Sequence, residues 1–101
     1  MSGVLGLLGL GARAGALAVG VAAVRDEVRR GGCHCVVVAA DASPRAVEKV
    51  MRLVVARAVP QVAGPDAATL GARLGRPPVM VVGVRDPKLA SGILRAATGP
   101  G

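Results

Sequence analysis

The stretch GCHCVVVAADASP, residues 32–44, decides the fold. Within it, Cys35-Val36-Val37-Val38-Ala39 is a short apolar run rich in β-branched residues, which suits a strand buried on both faces of a sheet. Asp41-Ala42-Ser43-Pro44 then lets the chain leave the strand, sets Ser43 as N-cap and puts proline in the first helical turn. The following helix shows its pattern openly. Val47, Val50, Met51, Val54 and Ala58 recur at helical spacing and face inward, and Glu48 stands one turn from Arg52, placed for an ion pair.

Towards the C-terminus, Val59-Pro60-Gln61-Val62 reads as a brief strand whose proline suits a sheet edge. Asp66 caps a short helix carrying Ala67, Leu70 and Leu74, and Arg76-Pro77-Pro78 forms a stiff loop. Val79 to Val84 is a second buried strand, and Asp86-Pro87 starts a last helix with Leu89, Ile93 and Leu94 inside. Towards the N-terminus, Val4, Leu5, Leu8 and Ala12 predict a helix ending at Gly15. Val21, Val24 and Val28 predict another, with Arg25, Asp26, Arg29 and Arg30 on its other side and Gly31-Gly32 as its stop. Alternating helices and strands imply an α/β fold: a three-layer α/β/α sandwich around a small mixed sheet of about four strands. Residues 1–97 are expected to form one domain, with 98–101 as a disordered tail.

Hydrophobic residues make up 52% of the 101, yet there is no Phe, Tyr or Trp. The core must be aliphatic, and recognition that stacks bases on aromatic rings is excluded. Thirteen Lys and Arg against six Asp and Glu give +7, which favours polyanionic partners, nucleic acid before anionic membrane. The alternative is a GC-rich coding bias that replaces Lys with Arg. The nearly apolar first 24 residues are broken by Arg13, whose place at the centre of a spanning helix would cost ~2.5–3.5 kcal/mol. No basic residue precedes the apolar run, as a signal peptide requires. A protein of the cytoplasm, without a membrane partner, is expected.

Candidate chemistry is sparse. Cys33-His34-Cys35 should place the two thiols on one strand face and the imidazole, as a packing group, on the other. That arrangement cannot close a zinc site, so no metal is expected. Gly9-Leu10-Gly11-Ala12-Arg13-Ala14 spells a dinucleotide fingerprint, which would need a strand before it and a helix after it. Ser43, Asp66, Asp86, Glu27 and Glu48 read as caps or helix-surface residues, leaving no nucleophile with a base. No catalytic residue, cofactor or enzymatic activity is expected. Binding remains. Gly20 opens the second helix, whose free N–H groups favour a phosphate. Arg13 precedes it, Arg25 follows within the helix, and Arg76 sits in the proline-rich loop. These would form a basic cleft if they meet at one end of the sheet.

The order of these motifs resembles the ribosomal protein L-seven-Ae / L-thirty-e / S-twelve-e / Gadd superfamily, and within it the short bacterial YlxQ-like branch. The resemblance runs from about residue 4 to 96. It rests most on Gly-x-x-x-Val-Val-Val-Ala-x-Asp-Ala-Ser-Pro at 32–44, on Leu70-Gly71 and on Gly75. It implies an α/β/α sandwich that binds structured RNA, kink-turns or related internal loops, as a ribosomal-type, ribonucleoprotein component in the cytoplasm. The implied RNA face comprises Gly20, Val21 and Ala22 with Ala23, the loop Asp41-Ala42-Ser43, and Gly75-Arg76-Pro77. The sequence departs from the family at that face. Kink-turn binders carry Gly-x-Asn-Glu where this chain has Gly20-Val21-Ala22-Ala23, and Lys where it has Asp26. Backbone-dominated RNA binding is therefore expected, with a protein-interaction module on the same scaffold as the alternative and a dinucleotide-binding fragment as a further one.

Overall fold

A computed structural model describes residues 3–98. Helices and strands alternate in the order α1 (Gly3–Arg13), β1 (Leu17–Val19), α2 (Val21–Arg30), β2 (Cys35–Val38), α3 (Pro44–Ala56), β3 (Gln61–Ala63), α4 (Ala67–Arg73), β4 (Val81–Val84) and α5 (Pro87–Thr98). The open sheet has the order β1-β4-β2-β3. β4 runs antiparallel to both neighbours, with Leu17 opposite Val84 and Cys35 opposite Val84, while β2 and β3 are parallel with Val36 opposite Gln61. The sheet is mixed because α3 carries the chain back to start β3 in the same direction as β2, whereas β4 enters from the opposite end.

The alternation of side chains on the two central strands divides the core into two layers. Cys35, Val37, Val82 and Val84 face Val4 and Leu8 of α1, Leu70 of α4, and Ala90 and Ile93 of α5. Val36 and Val81 face Val24 and Val28 of α2 and Val47, Val50 and Val54 of α3. This is the three-layer sandwich that the sequence predicts. With no aromatic ring available, packing relies on many small branched side chains, most of them completely buried. Asp66 caps α4 by accepting the Thr69 amide at 2.7 Å, an interaction that holds its carboxyl below the usual range. Asp86 caps α5, its carboxylate accepting the Lys88 amide at 2.8 Å. The expected Arg52–Glu48 pair forms at 2.7 Å on the exposed side of α3.

Several expectations are corrected. Cys33 lies before β2 begins, so the two thiols face opposite layers, and His34 between them is exposed rather than packed. Burial raises both thiols, Cys35 to about 11, and keeps them protonated. On α1 the buried position at the helix end is Gly11, not Ala12, because Leu89 and Leu17 pack where a side chain would stand. Ala58 lies beyond the end of α3, exposed and with positive φ. Ser43 occupies the N-cap position of α3, but its hydroxyl makes no capping bond; its carbonyl accepts the Ala46 and Val47 amides instead. Glu27 is buried rather than on the helix surface. Thr98, assigned to the tail, closes α5 with its hydroxyl donating to the Leu94 carbonyl at 3.0 Å; the remaining tail positions lie outside the described residues.

The dinucleotide fingerprint is overturned by its setting. Residues 9–13 form the C-terminal part of α1, and among the described residues no strand precedes them. A helix C-terminus presents carbonyl oxygens, which repel a phosphate.

Candidate nucleic-acid interface

Strand directions gather three loops at one end of the sheet. The C-terminal ends of β1, β2 and β3 lie where β4 begins, which brings Gly20, the loop 39–43 and the loop 74–80 together. The Gly20 amide donates to the Val81 carbonyl at 3.0 Å, and the Ala39 amide to the Met80 carbonyl at 2.8 Å. A cleft of about 410 Å³ results, lined by Val19, Gly20, Val21, Arg76, Pro77, Pro78, Val79 and Met80.

One wall is the start of α2. Gly20 is its N-cap with φ 94° and ψ 165°, a conformation essentially confined to glycine. It turns the chain from β1 straight into α2, so the first amides of the helix point away from the sheet with no acceptor in their own helix. Beside them Val21 packs inward while Ala22 is exposed.

The other wall is the loop Gly75-Arg76-Pro77, held by α4. The Arg76 amide donates to the Gly71 carbonyl at 2.9 Å, and a β-carbon at Gly71 would lie on the Pro77 carbonyl oxygen. Gly71 therefore lets the loop lie directly on α4. The third loop is fixed from the same helix. Asp41 accepts the Ala67 amide at 2.7 Å, and Ala42 is half-buried between the two core layers. Ser43 is beside the cleft rather than in it, in a shallow recess with Pro44, Arg45 and Glu48.

The arginines expected to join this site separate. Arg76 lines the cleft and is exposed. Arg25 points into a groove between α2 and α3, away from the cleft. Arg13 ends α1 at the opposite end of β1, where the Arg85 amide donates to the Ala16 carbonyl at 2.8 Å. Sequence adjacency to Gly20 misled here, because the unpredicted strand β1 carries the chain across the sheet between Arg13 and Gly20.

The sequence reading also missed a buried carboxylate, Glu27, paired with exposed arginines in a recess next to the cleft. Glu27 accepts Arg30 at 2.6 Å and lies 3.6 Å from Arg85, and this recess also reaches Asp26 and Arg76. Its helical position, on the same side of α2 as Val24 and Val28, was the available signal. Among the described residues, no group of three or more His, Cys, Asp or Glu side chains could hold a metal ion. No helix among them is long and apolar enough to cross a membrane.

A helix start facing an arginine-bearing loop across a cleft is an arrangement for holding anionic oxygens. The sandwich that carries it defines the class. The family profile described as "Ribosomal protein L7Ae/L30e/S12e/Gadd45 family" matches residues 4–93, and the chain belongs to that family. Among solved structures it is similar to a Bacillus halodurans protein of unknown function, with TM-score 0.90 and 25% identity over 98% of this chain and all of that one. It is also similar to the 15.5 kDa RNA-binding protein of Giardia lamblia, with TM-score 0.78 and 25% identity over 92% of this chain and 80% of that one. No curated protein matches it significantly.

Proposed function

We propose that the chain is a non-enzymatic RNA-binding protein that holds the backbone of a structured RNA in the cleft at the sheet end. The observation that carries this reading is the Gly20-opened start of α2 facing Arg76 across the cleft, in a chain of this family. Phosphate oxygens accept from the free amides of Val21 and Ala22 and from the Arg76 guanidinium, while Gly75 and Pro77 shape the loop. Ala42 and Ser43 border this surface, and Arg13, at the far end of the sheet, is left out of it. The likeness to an RNA-binding protein from Giardia lamblia supports RNA as the polyanion.

The mode of recognition follows from Ala22 and Ala23. Neither side chain forms hydrogen bonds, so binding depends on RNA shape and phosphates more than on base edges. Internal-loop RNA of kink-turn type is the substrate class proposed, with ribosomal RNA in the cytoplasm as its setting.

The test is fluorescence anisotropy with a labelled RNA of two stems flanking an internal loop. Counterion release of ~0.7–0.9 per phosphate predicts that four contacts cost about 50- to 150-fold in affinity between 50 and 200 mM salt. Arg76→Glu should weaken binding further at each salt concentration. Absence of binding by the unaltered chain at 50 mM salt overturns the proposal.

A further inference from the structure

The groove between α2 and α3 is a second basic surface, separate from the cleft at the sheet end. Arg25 and Arg29 stand one turn apart on α2, and Lys49 and Arg52 face them from α3 across a groove of about 530 Å³ with Leu53 and Ala56 in its lining. Among the described residues, Arg52 alone of these four cations has a carboxylate partner, Glu48. The acidic residues of α2, Asp26 and Glu27, lie on its other side in the recess with Arg85. Four like charges held in one groove repel one another, and a polyanion relieves this most.

Arg25 adds a second observation. It is half-buried, and its Nε is shielded from solvent with no acceptor. The side chain is thus packed into the groove wall with its Nε–H unpaired. Arg57, by contrast, is already engaged, donating to the Val28 and Arg29 carbonyls at 3.3 Å. Val21 lines the cleft, and Arg25 and Arg29 follow it at successive i+4 positions of α2. Arg25 lies five residues past Gly20, ~8 Å along the axis at 1.5 Å per residue, and Arg29 another ~6 Å on. A nucleic-acid strand leaving the cleft along α2 meets these residues in turn.

We propose that Arg25, Arg29, Lys49 and Arg52 form a second phosphate-binding contact for the same RNA, engaging the stem that flanks the part held in the cleft. This inference rests on the RNA-binding reading given above. It assigns α2 a dual role, with its first turn in one contact and its α3-facing side in the other.

The experiment compares the unaltered chain, Arg29→Gln/Lys49→Gln and Arg76→Gln by anisotropy with the two-stem RNA across a salt series, circular dichroism confirming that each is folded. Both groove residues in the double variant are exposed, so folding is expected to survive. Loss of two phosphate contacts should make the slope of log K against log salt shallower by about 1.4–1.8. Trimming the second stem should remove the difference between the unaltered chain and the double variant. An unchanged slope in the double variant, alongside binding by the unaltered chain and weakening by Arg76→Gln, overturns the groove contact and leaves the cleft reading standing. Failure of the unaltered chain to bind overturns both. Displacement of spectroscopic signals of the groove by polyglutamate, with none by RNA, overturns it in favour of an acidic protein partner.

Discussion

Gly71→Val is expected to lower the melting temperature by about 12–24 °C, or to prevent folding altogether. A β-carbon at position 71 would lie on the Pro77 carbonyl oxygen, 2.8 Å from the Pro77 carbonyl carbon and 3.0 Å from the Arg76 carbonyl oxygen. All three atoms are backbone, so no side chain can rotate away. Overpacking typically costs ~1–3 kcal/mol, and an immovable neighbour with two further methyl groups puts this case at the upper end, ~3 kcal/mol. In a domain of this size each kcal/mol corresponds to about 4–8 °C. Displacing the loop also breaks the Arg76 amide bond to the Gly71 carbonyl, so any folded remainder should bind RNA poorly. Far-UV circular dichroism melts check this, and a melting temperature within about 2 °C of the unaltered chain would show that the loop does not rest on α4 as described.

The second large effect is expected from Gly20→Val. Here the cost is conformational, since nothing lies within 4 Å of the added β-carbon. With φ 94° and ψ 165°, position 20 occupies a region that costs other residues ~1–3 kcal/mol. The backbone cannot relax cheaply, because its amide donates to Val81 and its carbonyl accepts the Val24 amide. The expected outcome is a melting temperature lower by about 4–24 °C. RNA affinity should fall by about tenfold or more at temperatures where the variant remains folded, because ~1.4 kcal/mol lost at the start of α2 is a factor of ten. Gly75→Val separates strain at this corner from general loop damage. Gly75 also has positive φ and open space around it, but it is exposed in a turn and should cost less. Equal losses in the two variants would mean that the Gly20 corner has no special part.

These two glycines show where the sequence was legible. The valine runs at 36–38 and 81–82 marked the central strands, because burial on both faces leaves an uninterrupted apolar signature. β1 was invisible for the opposite reason. Its three residues, Leu17-Ala18-Val19, are all apolar and too few to show an alternation, and they follow an equally apolar helix. Missing that strand placed Arg13 beside Gly20, although the strand separates them. Gly71 was legible as part of a resemblance, but its physical purpose, the approach of the loop to α4, is long-range and leaves no local trace. Arg25 was correctly placed on the polar side of α2, yet periodicity does not say which neighbour that side meets; α3 turned out to be that neighbour. Glu27 misled because a carboxylate in a helix usually faces water, and only its partners Arg30 and Arg85 make burial tolerable.

The absence of aromatic residues, which removed base stacking from the possible modes of recognition, also makes the central claim easy to measure. A chain without Phe, Tyr or Trp is nearly transparent near 260–280 nm, so absorbance there reports bound nucleic acid directly. Purified at low salt without nuclease, the protein should elute with a 260 nm peak that ribonuclease removes and deoxyribonuclease leaves intact. A spectrum without that peak, unchanged after incubation with structured RNA and re-purification at low salt, would contradict RNA binding by this chain.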